Sequence, residues 1–394
     1  MSGNSTYKTT LNAALLTGYN PSVHPGQNYD RQLLNINVSF SLTKIQTFDE
    51  LASAFTITGV FKVTWHDERL KWTPDTYYKL TNTHFKQKEI WTPPFVLSNS
   101  YHNIDLIGNG DMPVKLTHDG TVDWFLPLKL SSSCDADVTY YPNDEQICNL
   151  EILPWGYTQK HIKVTVPSSS LNPDEYEQNP TWTLVSISQY SYKAPKLGFG
   201  IIITLRRKPL FFIVNFIMPT VFVSFINMMV FLLPAESGER VGFSITVLLA
   251  IAVFLSTITT ILPQTSTPQM ALLCYLLVAQ IGQSLLIMLC TIFGLRFYLR
   301  PTKEPVPRWI ARLTSLASAC KNPSNSNVHP LPENTVTVLS NEEPGDVCKD
   351  ADNNVPDFVV SWQLVGKSFD SACCVFFLLT SIICNTAFLV VMCA

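Results

Sequence analysis

In the stretch from Gly238 to Pro263, GERVGFSITVLLAIAVFLSTITTILP, no charge follows Arg240. Within it Gly242, Thr246, Leu249, Val253, Ser256 and Thr260 recur at steps of four, three, four, three and four. At about 3.6 residues per turn, all six share one helix face. Hydroxyls mix there with apolar groups, and the carboxylates of Glu236 and Glu239 stand just before the run. Such a face can solvate a charged species passing along it, or it can pack small residues against another membrane helix. Taken alone, the stripe reads equally well either way. A second reactive group is the cysteine pair Cys134 and Cys148, the only two cysteines in the first 208 residues. Histidines 24, 66, 84, 102, 118, 161 and 329 are scattered without metal-ligand spacing, and no Ser-, Cys- or phosphate-binding motif stands out. The chain is therefore read as no enzyme, with no cofactor and no metal.

These groups need elements to hold them. The 394 residues exceed a usual single domain, and 46% hydrophobic against 14% charged residues points to a partly membrane-embedded chain. A net charge of −3, without a basic run interleaved with aromatics, argues for no nucleic-acid partner. Apolar runs at Pro209–Leu233, Val241–Leu262, Pro268–Leu295 and Ser371–Cys393 each approach the ~20 residues that cross a bilayer. The predicted organisation is an outer domain over 1–208 and spans one to three over 209–300. A cytoplasmic amphipathic helix and disordered linker follow over 301–356, then a pre-span helix and the fourth span over 357–394. Arg296, Arg300, Lys303, Arg308 and Arg312 follow the third span against one acid, which places that segment inside. Both termini then face out from a multi-pass plasma-membrane protein. The first sixteen residues contain no apolar signal-type stretch, so the numbering is expected to be that of a mature or engineered chain.

Outside the membrane, a lone cysteine pair is most simply one disulfide. Asn4 and Asn37 begin sequons and are candidate glycosylation sites. Apolar and polar residues alternate at 35–48 and 55–67, and further strands are expected at 121–133, 148–155, 161–167, 181–192 and 198–207, which predicts an all-β sandwich. A short helix is expected near 6–17.

The loop Cys134-DADVTYYPNDEQI-Cys148 encloses thirteen residues. Asp137, Tyr141, Pro142, Asp144 and Gln146 within it strongly resemble the signature of the pentameric ligand-gated channels, the Cys-loop receptor family. Asn143 replaces that pattern's second aromatic. WHDERLKW from Trp65 to Trp72, IWTPPFVLSN, and RRKPLFFIVNFIMPT before and into the first span extend the resemblance to the nicotinic branch. It implies a homo- or heteropentamer, with four further subunits joining each chain and the second spans lining a central pore. On that reading Thr246, Ser256 and Thr260 offer hydroxyls, and Leu249 and Val253 form an apolar constriction that closes by dewetting. Glu239, repeated five times, makes a negative inner ring with Glu236 one turn away, and permeant cations are expected. Arg240 is the objection; in the family its counterpart points away from the lumen.

The resemblance also implies a gating junction of Glu50, Arg207, Tyr141, Pro142 and Pro268; otherwise Glu50 and Arg207 are two ordinary surface charges. It implies a small-molecule ligand at the subunit interface, held by cation–π attraction. Trp155 matches the principal wall of that site, and Tyr190 and Tyr192 supply the capping loop's aromatic. Ser98 and Val60 stand where two further aromatics are expected, and the capping loop's vicinal cysteines are absent. Another amine, a neutral ligand or a bulkier amphiphile remain open, and Lys193 and Lys196 admit an acidic ligand. The rival reading is a non-conducting or accessory subunit that needs a heteromeric partner.

Overall fold

Period-two alternation in β1 (Leu34–Asp49) buries Leu34, Ile36, Val38, Phe40 and Leu42 and turns Asn35 and Asn37 to solvent. The same pattern yields β2 (Ala54–His66), β3 (Asn82–Lys86), β4 (Phe95–Leu97), β5 (Pro113–Thr117) and β6 (Thr121–Ser133). It continues in β7 (Glu145–Pro154), β8 (Ile162–Thr165), β9 (Trp182–Ser191) and β10 (Phe199–Arg207). This is a computed structural model, and it describes residues 3–26, 33–167, 176–263, 270–301, 306–307, 310, 314 and 361–393. The expected amphipathic helix and linker lie mostly outside the described residues. Packing groups the chain into two units, 1–217 with 256–275 and 390–394, and 218–255 with 276–389.

The first unit is a sandwich. One sheet runs β3-β5-β6-β2-β1-β8 and the other β4-β7-β10-β9. Phe61 of β2 meets Phe95 of β4 and Phe199 of β10 at 5.5 Å each, so the two inner faces share one aromatic core. Each such ring contributes roughly 1.5–3 kcal/mol by burial. The side-chain amide of Gln189 on β9 donates to the Phe40 carbonyl at 2.6 Å and accepts from its N–H at 2.9 Å, clamping the two sheets where no strand pairs them. The expected helix near 6–17 is α1 (Gly3–Leu16). In the WHDERLKW stretch, buried Asp67 accepts from Arg69 Nε at 2.9 Å and Nη2 at 2.7 Å and from the Tyr19 hydroxyl at 2.8 Å, tying the leading segment to the sheet. Burial, then the Asp67 carboxylate, raises the Tyr19 pKa above the usual phenol value. Strands β3, β4 and β5, each five residues or fewer, lie outside the runs expected from the sequence.

Cys134 and Cys148 are bonded to each other. Cys134 follows β6 of the large sheet and Cys148 lies in β7 of the small one, so the bond joins the sheets. Cys134→Ser should cost about 2–5 kcal/mol. Surface biotinylation is expected to find little mature protein at the membrane, and undiminished surface levels would contradict this role.

Among the described residues, four helices are long and apolar enough to cross a membrane: α2 (Leu210–Leu232), α3 (Arg240–Ile261), α4 (Leu272–Tyr298) and α5 (Trp362–Cys393). The last of them is unbroken from Trp362, while residues 357–360 of the expected pre-span helix lie outside the described residues. The first is not a uniform α-helix. Its turn from Ile213 to Ile217 widens to a π-helix just before Pro219, whose ring clashes with the carbonyl four residues back and whose nitrogen donates nothing. The Asn215 side chain there donates to the Phe211 carbonyl at 2.8 Å. Within the second unit a buried polar knot joins α2, α4 and α5. Asn385 Nδ2 donates to Ser224 Oγ at 3.1 Å, and Gln280 Nε2 to Asn385 Oδ1 at 3.2 Å. Side-chain hydrogen bonds of this kind hold helices together where lipid supplies no hydrophobic drive.

Candidate functional site

Helix α3 has two distinct sides. Arg240, Ser244, Val247, Ile251 and Ile258 are buried. Gly242, Thr246, Leu249, Val253, Ser256 and Thr260 are all exposed in the single chain, Leu249 by 62% and Val253 by 56%. Thr246 Oγ1 donates to the Gly242 carbonyl at 2.9 Å and Thr260 Oγ1 to the Thr257 carbonyl at 2.7 Å. Each hydroxyl thus spends its proton on the backbone and keeps lone pairs to offer outward. Glu236 and Glu239 are exposed before the helix. Arg240 turns the other way. Its side chain is 4% exposed, Nη1 meets the Asp370 carboxylate of α5 at 2.8 Å, and Nε donates to the Leu233 carbonyl at 2.7 Å. Tyr298 donates to the same carboxylate at 3.0 Å.

A second cluster forms around Arg207, whose side chain is 4% exposed at the end of β10. The guanidinium reaches Glu50 at 2.7 Å, bringing together the pair expected from the sequence. Its closer embrace is with Asp144, through Nε to Oδ1 at 2.7 Å and Nη2 to Oδ2 at 3.0 Å. Three rings surround it, Trp182 at 4.3 Å, Tyr141 at 4.9 Å and Phe212 at 5.5 Å. Buried charge tolerates such a place only when paired and hydrogen-bonded. Burial works against protonation of this guanidinium, but the hydrogen bonds and charge of Asp144, then Glu50, leave its pKa raised. Around it the Cys134–Cys148 loop reaches two membrane helices. The Thr139 carbonyl accepts from the Leu272 N–H at 3.0 Å, and Asn143 Nδ2 donates to the Met392 carbonyl at 3.0 Å. Pro142 is buried beside Tyr141, while Pro268 lies outside the described residues.

The third group lies on or just beyond the strands of the four-stranded sheet. Trp155, 63% exposed, follows β7, its N–H donating to the Pro94 carbonyl at 2.8 Å. Tyr190 and Tyr192 meet edge to face at 5.4 Å. Gly200 lies between Tyr190 and Glu151 in register, and a Cβ there would strike the Tyr190 ring. Ser98 Oγ donates to the Glu151 carbonyl oxygen at 3.1 Å and to its Oε2 at 3.4 Å. Burial first, then the neighbouring Tyr190 and Glu151, raise the Tyr192 pKa above the usual phenol value. Lys196 Nζ stands 5.7 Å over the Tyr192 ring. Val60 is elsewhere, half-buried on β2 of the other sheet, near the exposed pair Lys62 and Phe125, whose ammonium and ring centre lie 5.2 Å apart. Asn37 is exposed on β1, and Asn4 lies in α1.

Sequence reading missed three of these residues as participants. Asp144 was visible as a motif residue, but nothing local marks it as the main partner of a residue 63 positions away. Asp370 is one acid at the head of an apolar run, and Glu151 one acid in an alternating strand.

Residues 8–209 match the family model for the neurotransmitter-gated ion-channel ligand binding domain, and residues 216–353 that for the neurotransmitter-gated ion-channel transmembrane region. Over 315 residues the chain is 32% identical to neuronal acetylcholine receptor subunit alpha-4 of Gallus gallus, covering 76% of this chain and 49% of that protein. It is 31% identical over 300 residues to acetylcholine receptor subunit beta-type unc-29 of Caenorhabditis elegans, covering 74% and 59%. Neuronal acetylcholine receptor subunit alpha-6 of Homo sapiens is 30% identical over 304 residues, covering 75% and 61%. The chain thus spans about half to three-fifths of the length of these relatives.

Proposed function

Because this chain belongs to the neurotransmitter-gated ion-channel family and is of its nicotinic receptor type, we propose that it conducts cations. In this reading five subunits surround a pore lined by the exposed face of α3. The observation that carries the cation preference is the opposed placement of two adjacent side chains. Glu239 is exposed beside the stripe, whereas Arg240 is buried and neutralised by Asp370. Five exposed carboxylates with no competing guanidinium make a ring that favours cations. The hydroxyls of Thr246 and Thr260, presenting lone pairs outward, act in the same direction.

The sheet geometry supports ligand binding at subunit interfaces. Tyr190 lies in the four-stranded sheet, Ser98, Trp155 and Tyr192 directly follow strands of it, and Val60 lies in the six-stranded one. The two groups complete one site when neighbouring chains supply one each. Glu50, Arg207, Tyr141, Pro142 and Pro268 then carry the change to the helices, with Asp144 as the central carboxylate. The relatives are named for acetylcholine. Here Ser98 and Val60 replace two aromatic walls, each worth about 0.5–2 kcal/mol of cation–π attraction. Those replacements also favour a second reading, in which the chain works as one subunit of a heteropentamer whose partner supplies a better wall. Asn4 and Asn37 are proposed glycan sites, and the plasma membrane is the proposed location, with both termini outside.

The test is the charge of the inner ring. In channels opened without ligand by Leu249→Ser, adding Glu239→Gln should lower the sodium-to-chloride permeability ratio and cut single-channel conductance several-fold. Unchanged reversal potential and conductance would remove Glu239 from the ion path.

A further inference from the structure

The aromatic site contains a carboxylate that the cation–π reading does not use. Glu151 lies on β7, opposite Gly200 of β10, which in turn lies opposite Tyr190 of β9. Directly paired residues of antiparallel strands project to the same side, so all three share the sheet face that carries the aromatic cluster. Gly200, having no side chain, leaves room for the Tyr190 ring to cross β10, and its hydroxyl comes within 3.4 Å of Asn149 Oδ1 on β7. The tyrosines are thereby drawn toward the Glu151 carboxylate.

That carboxylate is held by neutral groups. Asn149 Nδ2 donates to Oε1 at 3.2 Å and Ser98 Oγ to Oε2 at 3.4 Å, while its backbone N–H is fixed by Asn99 Oδ1 at 3.0 Å. Two long hydrogen bonds leave about half of the four or so acceptor positions of an ionised carboxylate open. None of the ion pairs among the described residues includes Glu151. A half-buried carboxylate with no counter-charge is costly unless a cation arrives. The capping segment brings one ammonium into the cluster, since Lys196 Nζ lies over the Tyr192 ring.

We propose that Glu151 is a ligand-contacting residue that hydrogen-bonds the ammonium of the agonist, so the site selects protonated primary and secondary amines over quaternary ones. The inference rests on the Trp155 cluster being the ligand site. Its chemistry separates the two classes cleanly. A primary or secondary ammonium carries N–H donors that make charge-assisted bonds to a carboxylate. A trimethylammonium has none and is attracted only through the ring faces and unscreened charge. Ser98 has a part in this: the residue that deprives the site of an aromatic wall is the one that orients the carboxylate. Lys196 is the built-in competitor for the same position.

The experiment uses the full-length channel in a Leu249→Ser background, whose standing current reports channels at the surface whatever the ligand. The probes are phenethylamine, its N-methyl derivative and its N,N,N-trimethyl derivative, each titrated for its effect on that current. Glu151→Gln should raise the half-effective concentration of the first two tenfold or more and of the trimethyl compound less than threefold. Glu151→Asp, which keeps the charge, should restore much of the difference and guards against misfolding of the glutamine variant. Lys196→Gln should lower the half-effective concentration of the primary amine. An equal shift for all three compounds, or none, would overturn the assignment, as would a panel without any effect on the current. Trp155→Leu separates the two levels of the reading. If it leaves the action of the amines intact, the site lies elsewhere. If it abolishes that action while Glu151→Gln does not discriminate, only the role of Glu151 fails.

Discussion

Leu249→Ser, expressed alone in oocytes, is expected to pass a standing current with no ligand present. The side chain is 62% exposed on the same face of α3 as Val253, one turn away. In a ring of five this face makes an apolar constriction that holds the pore shut by expelling water. Replacing each isobutyl group by a hydroxymethyl removes an apolar contribution of roughly 1.5–3 kcal/mol per fully buried side chain. Because one gate sums five copies, the closed-to-open ratio should fall by tenfold or more, about 1.4 kcal/mol for each decade. Diluting external NaCl should then move the reversal potential in the negative direction, as it does for a channel that admits sodium and excludes chloride. A positive shift would assign the pore to anions and overturn the role of Glu239. Silence, with protein confirmed at the surface, would favour the heteromeric reading supported by Ser98 and Val60.

The second large effect is expected at Arg207. Asp144→Asn leaves a buried guanidinium with Glu50 as its sole carboxylate partner, and breaking a buried pair in this way costs about 3–5 kcal/mol. Surface labelling should fall steeply. Glu50→Gln should be milder, about 1 kcal/mol, because the Glu50 side chain is 22% exposed and water replaces part of what is lost. The ranking matters more than either value. A model with Glu50 as the principal partner predicts the reverse order. Gating is tested separately by a double-mutant cycle on Glu50 and Arg207, read from the ligand-free current of the Leu249→Ser background. Coupling of at least about 0.5 kcal/mol is expected for residues in contact. Strict additivity would mean that the two charges act independently and that the junction is carried by Asp144 and the loop alone.

Much of this architecture is written in local patterns. Strand β2, Ala54–His66, falls within one residue of the stretch 55–67 that alternation marks out, because a half-buried strand must repeat every two residues. The stripe on α3 is legible for the matching reason in a helix, where steps of three and four return to one side. Boundaries are less so. The third membrane helix is Leu272–Tyr298, bounds that the apolar run does not announce, and the first contains a π-turn that follows from Pro219 but whose extent no periodicity announces. At the aromatic cluster the sequence shows that Trp155, Tyr190 and Tyr192 are present and that Ser98 and Val60 are not aromatic. It does not show that Ser98 meets Glu151.

By itself the sequence determined which residues share one face of a strand or helix, where the chain is apolar for a membrane's thickness, and which two cysteines could bond. Each of these depends on residues close along the chain or on composition alone. Tertiary structure decided who stands opposite whom. Arg240 and Asp370 are 130 residues apart, Arg207 and Asp144 are 63 apart, and each pair meets because separate elements pack with a particular register. Period alone specifies a face, and a face has many possible neighbours. The sign of the charge left exposed beside α3 therefore depends on Asp370 drawing Arg240 inward, a long-range contact that no local pattern in either helix encodes.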